Sequence, residues 1–158
     1  MMGCGAGTQE PRTITIRSMI LATQAAEAPA TAPAASPYER IGGIAVLRQI
    51  SDRFYDLMEQ DPAYRALRAM HAPDLAPMRE SLPNFLAGWA GGPRQWFEAN
   101  PGKCMMSMHK PFPITRKTAN QWADAMACAI ADVAPADAEI ATALSDVLAQ
   151  MARGMARD

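Results

Sequence analysis

Residues 109–122 read HKPFPITRKTANQW, and this stretch predicts where one helical segment ends and the next begins. Proline disfavours helix in the residue before it and cannot continue a helix. The Pro111-Phe112-Pro113 break therefore predicts that His109 ends a short turn. Trp122 follows one short helical stretch later, where it can close over whatever the imidazole holds. We interpret His109 as a candidate cofactor ligand.

Helical periodicity extends through the chain from Tyr38 onward. Apolar residues recur at the 3.6-residue spacing of an amphipathic helix in four stretches, at 47–58, 78–89, 122–133 and 140–151. Gly42-Gly43, Asp61-Pro62 and Gly91-Gly92 interrupt this pattern and predict helix boundaries. The predicted fold class is all-α, with four main helices and several short pieces.

The bulk composition excludes several classes of protein. The chain has 158 residues, 49% of them hydrophobic, which fits one globular domain with a real core. A net charge of −1 argues against nucleic-acid partners and a polybasic membrane anchor. No apolar run is long enough for a transmembrane helix. An odd count of three cysteines gives no disulfide framework and favours free thiols in a reducing, cytoplasmic compartment.

Residues 1–36 differ in composition from the rest. The segment 25–37 is rich in Ala, Pro and Thr, a composition that cannot bury enough apolar surface to offset its ordering entropy. We predict a disordered N-terminal arm over 1–36 and one folded domain over 37–158. A secretory signal and a later true start, such as Met19, are the alternatives for the arm.

Few residues of the predicted helices could bind a metal. Zinc needs three or four ligands, and Cys104, His71 and His109 show no ligand spacing. Haem iron needs only one strong proximal imidazole, so His109 alone could serve. A structural role is the alternative for every candidate: Tyr55 as an amphipathic core residue, His71 as a solvent-exposed residue and Trp122 as core packing.

Four segments in order resemble the group II truncated haemoglobins over roughly residues 38–153. They read YERIGG at 38–43, DRFY at 52–55, FLAGWAGGP at 85–93, and HKPFPI at 109–114 followed by Trp122. The resemblance implies a two-over-two α-helical sandwich around haem b, with His109 as the proximal iron ligand. It also places Tyr55, His71 and Trp122 at the distal polar positions.

The residues that the resemblance assigns to haem contact are mostly apolar. They are Met78, Leu82, Phe85, Trp96, Phe112, Ile114 and Met126, together with His109. The sequence departs from the family where many relatives carry basic residues before the proximal histidine. Here residues 104–108 read CMMSM, which leaves Lys103, Lys110 and Arg94 as candidate partners of the haem propionates. Met78 stands where a small residue is common and would narrow access to the iron.

The resemblance implies binding of O₂ and related diatomics such as NO and CO. A hydrogen bond to a charged acceptor contributes about 1.5–3 kcal/mol, or roughly 10- to 150-fold in affinity. Two distal donors would therefore slow ligand release, which suits scavenging, sensing or redox chemistry better than simple O₂ delivery. The alternatives are a peroxidase-like or nitric-oxide-detoxifying enzyme with a separate reductase, and a haem-free helical interaction module. A monomer or a homodimer would fit.

A chain that starts at Ser36 should keep the helical content and the haem absorption band of the full chain. The reason is that the arm offers no core-forming face and the family-like segments begin at Tyr38. Circular dichroism and absorption in the Soret region would check this. Loss of either signal would mean that the arm packs on the domain.

Overall fold

A computed structural model describes residues 32–158, and these form helices and no strands. The elements are α1 (Pro37–Ile41), α2 (Gly43–Gln60), a 3₁₀ turn (Pro62–Tyr64), α3 (Arg65–Arg68), α4 (Ala76–Trp89), α5 (Gln95–Ala99), α6 (Met105–His109), α7 (Arg116–Val133) and α8 (Ala138–Gly154). The all-α prediction is confirmed, and α2, α4, α7 and α8 are the four main helices. Most of the predicted arm lies outside the described residues.

Side-chain caps begin several of these helices where the sequence places a small polar residue. Asp61 accepts a hydrogen bond from the Ala63 amide at 2.8 Å and opens the 3₁₀ turn as predicted. Thr115 caps α7 by accepting from the Thr118 amide at 3.2 Å, and Asp137 caps α8 by accepting from the Ile140 amide at 3.1 Å. Each cap satisfies a backbone donor that lacks a partner inside the helix. After the break at Gly91-Gly92, the next helix, α5, begins at Gln95.

The two glycine-rich signatures of the sequence contact each other. The Tyr38 amide donates to the Ala90 carbonyl at 3.0 Å, which joins α1 to the end of α4. A Cβ at Gly92 would lie 2.5 Å from the Tyr38 ring, so only glycine allows this approach. Gly42 has a φ of 111°, a left-handed conformation that lets α1 end and α2 begin in a new direction.

The core is formed where α2 packs against α4 and α7, and where α7 packs against α8. Small residues on α7 are nearly or fully buried here, including Ala125 and Ala129, which lets the helices approach closely. The largest side chains with almost no exposure are Phe54, Leu47, Ile50, Met58, Leu86 and Met126. Within residues 32–158, no helix combines the length and apolar character required to cross a bilayer.

Replacing Ser51 by Ala should leave the free energy of unfolding unchanged or raise it by up to about 1 kcal/mol. The Ser51 side chain is fully buried on α2, and its hydroxyl has no hydrogen-bond partner among the described residues. Alanine removes this unpaired polar group and also favours helix. Denaturant unfolding of the purified protein would measure the change.

Thr115→Ala is the matched comparison, because its hydroxyl does accept a hydrogen bond at a helix start. It should lower the free energy of unfolding by about 1 kcal/mol. A comparable loss in Ser51→Ala would show that the Ser51 hydroxyl has a partner that matters.

Candidate functional site

The imidazole of His109 stands at the last residue of α6, as the Pro-x-Pro break predicts. Its Nδ1 lies 2.7 Å from the Met105 carbonyl oxygen, one turn earlier in the same helix. A carbonyl can only accept, so Nδ1 carries the proton and a neutral ring keeps the lone pair on Nε2. The side chain is half-buried. This bond fixes the tautomer and orientation that a metal-ligating imidazole needs.

A second imidazole, that of His71, is oriented by the same kind of hydrogen bond. Its Nδ1 lies 2.9 Å from the Leu67 carbonyl oxygen, so Nδ1 donates and Nε2 of the neutral ring can only accept. Burial is the main cause that lowers the pKa of His71, with further lowering by the nearby charges of Arg68 and His109. His71 is therefore a neutral acceptor at neutral pH, and it is half-buried instead of solvent-exposed.

Tyr55, predicted as a distal residue, is buried on α2 with 2% of its surface exposed. Its ring lies 6.4 Å from the His71 ring, measured between centroids. Burial raises the pKa of Tyr55, with Arg79 acting in the opposite direction, so the hydroxyl stays protonated. No hydrogen bond within residues 32–158 uses this hydroxyl, which leaves it able to donate or accept.

Trp122, the third predicted distal residue, is half-buried on α7. Its ring lies 5.2 Å from the Phe54 ring, and Phe54 in turn lies 5.0 Å from Tyr55, both between centroids. Phe54 has no exposed surface, so it acts as a fixed spacer between the two polar aromatic residues. The indole N–H has no acceptor in the described part of the chain. The structure thus brings Tyr55, His71 and Trp122 into one aromatic cluster.

The predicted haem-contacting residues divide into a buried and an accessible group. Phe85, Trp96 and Met126 are buried at 6%, 7% and 1% exposure. Trp96 donates its indole N–H to the Ser81 hydroxyl at 2.9 Å, so that donor is already in use. The accessible residues are Met78 at 40% and Phe112 at 45% exposure, with Leu82 and Ile114 half-buried. The Phe112 ring lies 6.3 Å from that of His109.

Two of the three predicted propionate partners have contacts of their own. The Lys103 ammonium donates to the Asn100 side-chain oxygen at 2.7 Å. The Arg94 guanidinium lies 4.9 Å from the centroid of the Phe97 ring, a cation–π geometry. Lys110 follows His109 directly and is exposed.

Sequence reasoning missed the residues that hold the cluster in place. The Gln121 side chain accepts from the Leu67 amide at 2.9 Å and donates to the Ala63 carbonyl at 2.7 Å. Gln121 thereby links α7, the helix that carries Trp122, to the backbone segment that orients His71. The position of Gln121 beside Trp122 was the only signal available, because both of its partners are backbone atoms that no sequence pattern displays.

Arg79 on α4 was missed for a similar reason. Its guanidinium lies 5.7 Å from the centroid of the Tyr55 ring and donates to the side chains of Asp56 at 2.8 Å and Glu59 at 3.1 Å. It also donates to the Asp52 carbonyl at 3.0 Å. These contacts tie α4 to the face of α2 that carries Tyr55. An arginine in a predicted helix is usually a solvated charge, so no sequence signal pointed to the role of Arg79.

The arrangement suits a single-imidazole iron site. Across residues 32–158, no three His, Cys, Asp or Glu side chains gather closely enough to hold a metal ion. His109 presents an oriented Nε2, while Tyr55 and Trp122 hold hydrogen-bonding groups that no hydrogen bond among the described residues uses. The residues present therefore fit a haem held by His109.

The fold and this site define a haem-binding helical protein of the globin class. The sequence model of the bacterial-like globin family matches residues 36–157, and the chain belongs to that family. This membership favours the haem-protein interpretation over a haem-free helical interaction module.

Relatives of known type agree with the predicted subgroup. The group 2 truncated hemoglobin YjbI of Bacillus subtilis is 32% identical over 91 residues, which is 58% of this chain and 66% of that protein. A cold-adapted truncated hemoglobin from the Antarctic marine bacterium Pseudoalteromonas haloplanktis superposes with a TM-score of 0.74 at 29% identity. That match covers 78% of this chain and 99% of that one.

Two further solved structures support the same architecture. The group II 2-on-2 hemoglobin from the plant pathogen Agrobacterium tumefaciens has a TM-score of 0.75 at 25% identity, with coverage of 80% of this chain and 98% of that chain. The truncated oxygen-avid haemoglobin from Bacillus subtilis has a TM-score of 0.70 at 31% identity, with coverage of 78% and 100%. The predicted two-over-two helical sandwich and the resemblance to group II truncated haemoglobins are confirmed.

His109→Gly should lose stable haem binding, and free imidazole should partly restore the ferrous absorption spectrum. The expected cause is loss of the one oriented Nε2 on α6, which a diffusible imidazole can replace. Haem content and the ferrous spectrum would be measured with and without imidazole.

His71→Gly is the matched control, because its Nδ1 bond resembles that of His109 but it lies in the distal cluster. This variant should retain haem without imidazole. Unchanged haem content in His109→Gly, or imidazole-dependent haem binding in His71→Gly, would contradict the assignment.

Proposed function

We propose that this globin binds O₂ and related diatomic gases, NO and CO among them, at a haem b whose iron is ligated by His109. Haem, when bound, supplies an iron atom with one coordination position for a gas ligand. The observation that carries the proposal is the pairing of two features. One is an imidazole with its Nε2 lone pair kept free, and the other is an aromatic cluster whose hydroxyl and indole N–H make no hydrogen bond within residues 32–158.

Some apolar side chains of the proposed pocket are exposed to water. Met78 and Phe112 are the most exposed of the predicted contacts, so a porphyrin packed on them would remove apolar area from water. Leu82 and Ile114 would add half-buried apolar contacts. Phe85, Trp96 and Met126 would form the buried wall behind them.

The distal residues differ in what they can offer to a ligand that carries partial negative charge. The Trp122 indole can only donate, and its ring is packed against Phe54. The Tyr55 hydroxyl can donate to the ligand or turn toward the neutral Nε2 of His71. We infer that Trp122 is the main stabilising donor and that His71 competes with the ligand for the Tyr55 proton.

The relatives support slow ligand release as the working mode. One of the similar structures is described as an oxygen-avid truncated haemoglobin. The donors of this chain would act in the same direction, since each charge-assisted hydrogen bond slows dissociation. Scavenging or sensing fits slow release better than delivery does.

Trp122→Phe should speed O₂ dissociation by at least about tenfold, because phenylalanine keeps the packing on Phe54 and loses the N–H donor. Tyr55→Phe should have a smaller effect of either sign, since the hydroxyl could also turn toward Nε2 of His71. Stopped-flow measurement on both single variants and the double variant would give the two effects and their coupling.

Trp89→Phe provides the control, because Trp89 is 38% exposed at the end of α4 and has no place in the proposed pocket. Its dissociation rate should match that of the parent. A Trp122→Phe rate within twofold of the parent would show that Trp122 serves packing alone.

A further inference from the structure

The helix that carries His109 is held by few contacts of its own. No residue of α6 is buried, and only Met105 packs against the core as a partly buried side chain. Within the described part of the chain, α6 packs extensively against no other helix. The position of the imidazole therefore depends on whatever fixes the ends of this short helix.

The C-terminal segment after α8 fixes one of these ends. The Arg157 guanidinium donates to the His109 carbonyl at 3.1 Å and to the Lys110 carbonyl at 2.7 Å. The Arg157 amide donates to the Ile114 carbonyl at 3.0 Å. One residue thus holds both sides of the Pro-x-Pro break. The carbonyls at the end of a helix lack partners within it, and a cation there interacts favourably with the helix dipole.

The neighbouring residue ties the same segment to the next helix. The Asp158 carboxylate accepts a hydrogen bond from the Arg116 amide at 2.8 Å, where α7 begins. The Arg116 guanidinium also donates to the main-chain oxygen of Asp158 at 3.4 Å. Because α7 and α8 pack closely together, the segment 157–158 connects a rigid helix pair to the end of α6.

We propose that Arg157 is a positioning residue for His109. By holding two successive carbonyls, it fixes the peptide planes that follow the imidazole and so sets the distance and tilt of Nε2 toward the iron. This inference rests on the proposed function, in which His109 is the iron ligand. Both bonds come from one nitrogen, Nη2, whose two N–H groups are held in the guanidinium plane, whereas the N–H groups of a lysine ammonium can rotate.

The test compares Arg157→Ala and Arg157→Lys with the parent and with Arg153→Ala. Arg153 is also exposed and lies near the end of α8, but its guanidinium donates to the Asn120 side chain at 3.0 Å and not to α6. Two properties of the haem-loaded protein would be measured. They are the iron–histidine stretching band of the ferrous form by resonance Raman and the rate of haem loss to a haem-scavenging apoprotein.

Arg157→Ala should shift and broaden the iron–histidine band and speed haem loss by about three- to tenfold, the effect of losing exposed charge-assisted hydrogen bonds. Arg157→Lys should lie between this variant and the parent, and Arg153→Ala should match the parent. An unchanged band and rate in Arg157→Ala would overturn the proposal. So would an equal change in Arg153→Ala, because the effect would then belong to any arginine near the end of α8.

Amide hydrogen exchange separates this inference from the proposed function. The amides of Met108, Lys110 and Phe112 report on the end of α6. If the parent failed to bind haem through His109, the proposed function would fail, yet Arg157→Ala should still exchange these amides faster than Arg153→Ala. Equal exchange in both variants would show that Arg157 does not hold this segment.

Discussion

The hydrogen bond from His109 Nδ1–H to the Met105 carbonyl is the interaction on which the site depends. It needs a helix turn that ends at His109, because only then do the two atoms face each other at 2.7 Å. Without it the imidazole could rotate and present either nitrogen. With it, the lone pair of Nε2 is oriented before any ligand arrives, which lowers the entropy cost of binding one.

In the distal cluster, a hydrogen bond of the same kind restricts the His71 ring. Its Nδ1–H is committed to the Leu67 carbonyl, so the neutral ring offers an acceptor and no donor. Burial lowers the pKa of His71 and raises that of Tyr55, which keeps one ring neutral and the other hydroxyl protonated. The two donors left are the Tyr55 hydroxyl and the Trp122 indole. The hydrogen bond to the Leu67 carbonyl therefore decides which groups of the cluster can donate to a ligand, because it occupies the one N–H of the neutral His71 ring.

The supporting residues share one property, which is that they bridge segments far apart in the chain. Gln121 joins α7 to the backbone near Leu67, Arg79 joins α4 to α2, and Arg157 joins the C-terminal segment to α6. Each bridge ends on backbone carbonyls, amides or carboxylates that flank a site residue. The positions of the site residues thus depend on bonds that distant side chains make to the backbone or side chains beside them.

The sequence by itself determined the helical class, the main helix boundaries and the identity of the candidate ligand. These are local properties: apolar spacing predicts α2, α4, α7 and α8, Asp61 and the glycine pairs mark their ends, and Pro111 and Pro113 stop α6 at His109. The signature segments include Tyr55 and Trp122, and the resemblance placed His71 with them at the distal positions. Only the tertiary structure decided that Phe54 spaces two of them, that Nδ1 of His71 bonds to the Leu67 carbonyl, and that Arg157 reaches the His109 carbonyl. Such facts depend on backbone atoms and on partners far apart in the chain, such as Phe54 and Trp122, which no local pattern encodes.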